Sequence, residues 1–202
     1  MRSIEKYLKG YGDVYLIADK WPEWYNGKVI LHPDVSSRKQ LNIISKLFQV
    51  PQERFIFWND DHFLLKELHV NEIKTWYHGT IREAIGKAQG KYYTALRNTC
   101  DTFGDIRNAD IHVPCIYEAK RIKEVFGLNW ADKDYVIKSA YFNNESGEEI
   151  TDCKINRPIS KEEIEERIKD RLFFSTGPNG LKTAMIKKLN ELYPEPSKYE
   201  SL

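Results

Sequence analysis

Two adjacent carboxylates, Asp60 and Asp61, stand in the run Asn59-Asp60-Asp61-His62, directly after the aromatic segment Arg54-Phe55-Ile56-Phe57-Trp58. Carboxylates this close repel and raise each other's pKa, so such a pair calls for a cation between them. A hard divalent ion, Mg²⁺ or Mn²⁺, shared with the phosphate oxygens of a ligand, is the cation this chemistry suits. If the preceding segment is a strand, the pair lies at its carboxyl end, the edge where open α/β sheets bind ligands. An Asp-rich turn leading into a helix is the other reading of the same residues. The aromatic strand in front of them favours a site.

His112 lies in Asp110-Ile111-His112-Val113-Pro114. Extended backbone close to a proline gives its imidazole a fixed direction, which suits a general base or a phosphate contact as well as a polar loop position. His78 sits in Trp76-Tyr77-His78-Gly79-Thr80, where the aromatic frame and the glycine permit close approach of a ligand. His32 and His69 have no such local support. Arg38, Lys39 and Asn42 share one face of an expected helix and either contact a phosphate or form a solvated face. Between residues 81 and 97, Arg82, Lys87, Lys91 and Arg97 outnumber Glu83, with Tyr92 and Tyr93 interleaved. Such a helix can hold an anionic acceptor, including a nucleic-acid strand, though ordinary helices carry as much charge.

Hydrophobic spacing supplies the elements that would position these groups. It predicts a helix over 1–10 stopped by Gly10, then strands over 13–18 and 28–32. A helix from Pro33-Asp34 carries Leu41, Ile44, Leu47 and Phe48 as one apolar stripe and ends at Pro51, before a third strand over 54–58. Further on, the pattern predicts a strand over 75–78 and helices over 81–99, 116–125, 160–172 and 181–192. Ser160 with Glu163 forms a capping box for the penultimate helix. Strands alternating with helices mean a mostly parallel sheet flanked by helices. No repeat or linker divides the chain, so a single α/β domain with a tail over 194–202 is expected.

At 202 residues, the chain is one domain's worth, and 31 basic against 30 acidic residues leave a formal charge of +1. No global field therefore steers it to nucleic acid or lipid, and anion binding must come from a local patch. Three dispersed cysteines, Cys100, Cys115 and Cys153, form no disulfide framework and no C-x-x-C pair, which fits the reducing cytoplasm. The first residues carry charges where a signal peptide needs its apolar core, and no apolar run is long enough to span a bilayer. P-loop, G-x-G-x-x-G, G-x-S-x-G and H-E-x-x-H motifs are missing, which removes the enzyme classes they define.

Arg2-Ser3-Ile4-Glu5-Lys6-Tyr7-Leu8, Asp13-Val14-Tyr15-Leu16-Ile17 and the block from Phe55 through Asn59-Asp60-Asp61-His62-Phe63 to Leu65 resemble glycosyltransferase-like proteins common in bacteriophages. Those proteins are related to the Stealth group of sugar-phosphate transferases. The likeness continues through Asp110-Ile111-His112-Val113-Pro114, Val136-Ile137-Lys138-Ser139, Asp152-Cys153-Lys154 and Pro196-Ser197-Lys198-Tyr199-Glu200, so it spans nearly the whole chain. The Asn-Asp-Asp-His-Phe block is its most specific part.

The resemblance implies a nucleotide-sugar transferase fold of the GT-A kind. Asp60 and Asp61 then take the part of the metal-binding D-x-D motif, holding Mn²⁺ or Mg²⁺, and Asp61 and His112 are the catalytic pair. Arg38 and Asn42 fall on the polar helix beside the donor pocket. Beside that mapping, Asp60, His62 and Lys138 are expected to bind the donor, and Trp76 and His78 the acceptor. Relatives of this kind carry a further strand before the Arg-Ser-Ile-Glu helix, so the expectation is a fold lacking its first strand and part of the donor-base pocket. The expected activity is metal-dependent transfer of a sugar or sugar phosphate from a nucleotide-activated donor to an acceptor hydroxyl. A saccharide or small molecule stands ahead of a modified DNA base as acceptor, and the host cytoplasm is the expected location. A non-catalytic binding module and a metal-dependent phosphodiesterase or nuclease remain the alternatives.

Overall fold

The cross-strand pairs that hold the middle of the chain together are chemically matched. β4 (Arg54–Phe57) runs antiparallel to β8 (Cys115–Glu118), with Arg54 opposite Glu118, Phe55 opposite Tyr117 and Ile56 opposite Ile116. Opposite charges and paired aromatics are the favourable cross-strand combinations, and the Phe55 and Tyr117 rings meet edge-on at 6.0 Å. The helix expected over 116–125 therefore begins only at Ala119, as α5 (Ala119–Phe126). The computed structural model describes residues 1–130, 132–143, 145–151 and 154–201. Cys153, with Asp152 of the resembling stretch, lies outside the described residues.

α1 (Arg2–Tyr7) leads into β1 (Leu8–Lys9), followed by the parallel pair β2 (Tyr15–Ala18) and β3 (Lys28–Leu31). That pair is half-buried rather than the buried strand its apolar run suggested, and it leaves Trp21, Trp24 and Leu31 exposed. α2 (Lys39–Leu47) starts later than Pro33-Asp34, because Val35 and Ser36 are folded back onto Asn42. After β4 come β5 (His62–Leu64), β6 (Leu68–His69), a 3₁₀ turn (Val70–Glu72) and β7 (Trp76–Tyr77). The single helix expected over 81–99 is two, α3 (Ile81–Ile85) and α4 (Gly90–Phe103). Gly90 has φ +59°, a left-handed conformation that a continuous helix does not contain.

The remaining elements are α6 (Ile137–Tyr141), β9 (Glu148–Glu149), β10 (Lys154–Ile155), α7 (Lys161–Ile168), β11 (Phe173–Thr176) and α8 (Thr183–Leu192). Ser160 caps α7 by accepting the Glu163 amide, but the Glu163 carboxylate turns to Arg157 and Arg167, so only half of the expected capping box forms. The helix ends four residues early, and Asp170 turns at φ +59° into β11. Among the described residues, the strands form five small sheets in place of one mostly parallel sheet. The largest is β10–β11–β5, parallel between the first two and antiparallel between the last two. Its central strand is buried on both faces, so its residues Phe173-Phe174-Ser175-Thr176 give no alternating signal. Phe173 packs with Trp76 and Leu64 on one side, while Phe174 stacks on Phe63 and joins Ile155, Ile164 and Met185 on the other. A separate cluster around Tyr117, Tyr141 and Phe142 receives Ile44 and Leu47 of α2.

The expected tail is a clasp. Glu200 accepts from the Arg2 guanidinium, Tyr199 stacks on Tyr25, and the Asn26 and Ser201 amides donate to the Tyr199 and Trp24 carbonyls. No helix among the described residues is long and apolar enough to cross a membrane.

Candidate functional site

The turn after β4 is tied on both sides. The His62 amide donates to the Asn59 carbonyl at 3.2 Å, and the Trp58 indole N–H donates to the His62 carbonyl at 3.0 Å. The Asp61 carbonyl accepts the Thr176 amide at 3.2 Å, which pins Asp61 beside the end of β11. Register then does the rest. Ser175 of β11 stands opposite His62 of β5 on one side and opposite Lys154 of β10 on the other. Directly opposed residues share a sheet face, so Lys154, Ser175 and His62 form one row.

His112 approaches from the loop before β8. Two tight turns, Ile111 N–H to the Ala109 carbonyl at 2.8 Å and Val113 N–H to the Ile111 carbonyl at 3.0 Å, put His112 at the tip. The loop is anchored from beneath by α6. Lys138 is only 6% exposed, and its ammonium donates to the Ile111 carbonyl at 2.7 Å and the Val113 carbonyl at 2.6 Å. Ser139 Oγ accepts the Ala109 amide at 3.0 Å and lies 3.2 Å from Asn108 Oδ1. A charge buried this deeply is sustained by such carbonyl partners.

His112 is thereby held between a carboxylate and an ammonium. Its Nδ1 is 3.1 Å from Asp61 Oδ2, and its Nε2 is 2.8 Å from Lys154 Nζ. An ammonium has only protons to give, so Nε2 accepts from Lys154 and the ring proton sits on Nδ1, donated to Asp61. The Asp61, His112 and Lys154 side chains are 23%, 29% and 31% exposed, open enough for a ligand to reach. Burial pushes the Asp61 carboxyl up, but the His112 hydrogen bond and the nearby Lys154 ammonium outweigh it and hold it at about 2. His62 is enclosed, its ring edge-on to His112 at 5.7 Å. Burial, with the Lys138 charge, pushes its imidazole well below the usual range, which keeps it neutral.

Asp61, His62 and His112 offer ligand atoms that all lie within 4.8 Å of one another. Among the described residues, Asp61 Oδ1 and His62 Nδ1 are buried without a hydrogen-bond partner, and a neutral imidazole is the ligating form. With both His112 nitrogens engaged by Asp61 and Lys154, Asp61 and His62 are the pair that fits a divalent ion, and an imidazole beside a carboxylate is a softer set than the all-oxygen shell Mg²⁺ prefers, so Mn²⁺ suits it better of the two expected ions.

The structure brings together Asp61, His62 and His112 and leaves the other expected site residues around or away from them. Asp60 is exposed and stands outside the cluster of ligand atoms. Lys138 lies under the His112 loop. Asn42 spends its amide on the Val35 and Ser36 amides and the Ser36 carbonyl, and Arg38 is engaged by the Trp130 carbonyl and Asp134. Trp76 is in the core against Phe173. His78 is exposed and lines an open groove of about 850 Å³ with Glu83, Lys87, Tyr92, Asp110 and Glu149. Ile111 belongs to the same groove wall, one residue from His112. Lys154 is the functional side chain that sequence reasoning passed over. It lay within a stretch carrying the resemblance, and a lysine opening a two-residue strand gives no further signal.

Neither models of known protein families nor curated proteins provide a match to this chain.

Proposed function

We propose that the chain is a divalent-metal-dependent transferase that moves a sugar, or a sugar phosphate, from a nucleotide-activated donor to an acceptor hydroxyl. One observation carries the reading. Asp61 and His112, the two positions the resemblance marks as catalytic, are hydrogen-bonded to each other at 3.1 Å although they come from distant parts of the chain.

A carboxylate holding Nδ1–H leaves Nε2 as the basic atom, the arrangement of an oriented general base. In the reaction, the acceptor hydroxyl gives its proton to His112 Nε2 while its oxygen bonds to the anomeric carbon. The bond from that carbon to the diphosphate breaks, and its electron pair leaves with the nucleoside diphosphate. In sugar-phosphate transfer, the oxygen bonds to phosphorus instead, and a nucleoside monophosphate departs. Asp61 stabilises the imidazolium that results. A divalent ion held by Asp61 and His62 would supply positive charge to the departing phosphates. The groove beside the His112 loop supports a saccharide acceptor. Its carboxylates Glu83, Asp110 and Glu149 face a single lysine, Lys87, a balance that disfavours a polyanion.

The test is a thermal-shift panel of nucleotide sugars, each with and without Mn²⁺. A ligand that binds the folded state raises its apparent stability by mass action. A donor-specific rise that needs metal supports the reading, whereas no metal-dependent shift with any donor removes it in favour of a non-catalytic module. The second histidine in the metal cluster is the feature that favours a phosphodiesterase, and metal-dependent hydrolysis of a simple phosphodiester in the absence of an acceptor would identify one.

A further inference from the structure

Lys154 does two things that work against catalysis in the free protein. Its ammonium covers His112 Nε2, the only basic nitrogen of that ring, at 2.8 Å. It also lies 3.9 Å from Asp61 Oδ2, so it already supplies positive charge to the carboxylate that would hold a metal. Among the described residues, nothing else fixes the ammonium. Its two neighbours are the carboxylate and the imidazole, its side chain is 31% exposed, and its four-carbon stem can swing.

We infer that Lys154 is the phosphate-binding arm of this site, and that engaging the donor's diphosphate draws its ammonium off His112 Nε2 and so uncovers the general base. The inference rests on the transferase reading above. A diphosphate is a stronger partner for an ammonium than a neutral imidazole nitrogen, because its negative charges attract the ammonium directly while an uncharged ring nitrogen offers only a lone pair. The two states thus differ in contacts, which a ligand-driven change requires. The consequence is order: His112 accepts a proton only when a donor is in place, so the free enzyme does not present a naked base to water. Lys154 acts on His112 as a positioning residue and on the donor as a direct contact.

The experiment uses the full chain and inorganic pyrophosphate with Mg²⁺ as the probe. Calorimetry should show affinity for pyrophosphate falling at least about tenfold in Lys154→Met, the worth of one charge-assisted hydrogen bond, and returning to within about threefold in Lys154→Arg. Imidazole ¹⁵N spectra supply the readout that loss of structure would not mimic. In the free wild type, His112 Nε2 should carry the signature of a hydrogen-bonded acceptor. Saturating pyrophosphate should shift it to that of an unbonded nitrogen, and Lys154→Met should show the unbonded signature without ligand. An Nε2 resonance unmoved by bound pyrophosphate, or Lys154→Met binding as tightly as wild type, overturns the assignment while leaving the transferase reading in place. Wild-type protein that binds neither pyrophosphate nor any nucleotide sugar overturns both.

Discussion

Lys154 and His62 stand in one row of the β10–β11–β5 sheet, each directly opposite Ser175. Because side chains alternate between faces, a slip of one residue in either ladder would turn its member of the row away from His112. The site therefore depends on strand register as much as on residue identity, and the Thr176 amide on the Asp61 carbonyl helps fix that register.

The two aspartates should separate cleanly. Asp61→Asn removes one of the two side chains that would hold the ion and should lower Mn²⁺ affinity by at least about tenfold, the usual scale for disturbing a metal shell. Asp60→Asn, at an exposed position outside the cluster, should leave Mn²⁺ affinity within about twofold. Calorimetric titration of both variants measures this. Equal losses would restore the adjacent pair as the metal-binding unit.

His112→Ala should cut turnover by about 10²–10⁴-fold, the range for a general base, with little change in donor affinity. Single-turnover kinetics beside equilibrium binding distinguish the two effects. A parallel loss of binding and turnover would make the imidazole a donor ligand instead.

Lys138→Met should destabilise the fold by about 2–4 kcal/mol, since two carbonyls lose a charged donor in a buried place. Urea unfolding measures that cost. Because those carbonyls flank His112, turnover should fall under conditions where the variant is still fully folded. A variant as stable as wild type would show that the loop holds itself.

Glu200 gives a pH dependence with a definite sign. The Arg2 hydrogen bond, helped by the Ser197 amide, holds its carboxyl below the ordinary value of 4.5 despite some burial. A folded-state pKa below the unfolded one contributes stability that is complete above about 4.5 and is lost as pH falls through the folded value. Glu200→Gln should therefore melt at a lower temperature than wild type at pH 7, and the gap should close toward pH 3. Melting curves across that range decide it, and a gap independent of pH would assign the effect to packing.

The residues that could be read from the sequence were those whose local neighbours announce them. Asp61 and His62 follow a recognisable strand, and His112 is framed by a proline. Lys154 gives no such sign, because its role comes from a ladder partner in β11, a strand whose two-sided burial hides its periodicity. Lys138 looks like an ordinary helix lysine, since sequence cannot show that a lysine is buried, which is rare. The helix expected over 116–125 shows the same limit from the other side. Its first residues are strand because Arg54, Phe55 and Ile56 offer matching partners, a preference set by distant residues rather than by local spacing.

The clasp of residues 193–201 on Arg2, Glu5 and Tyr25 also sets a timetable. Those residues are synthesised after everything they fasten, so Arg2 and Glu5 meet their partners only once residues 193–201 have emerged, long after α1 itself. Ile4 and the adjoining Leu8 pack with Leu64, Leu68 and Phe173 rather than with the clasp, so the apolar face of α1 is open to chaperones and to other nascent chains until β11 has been made.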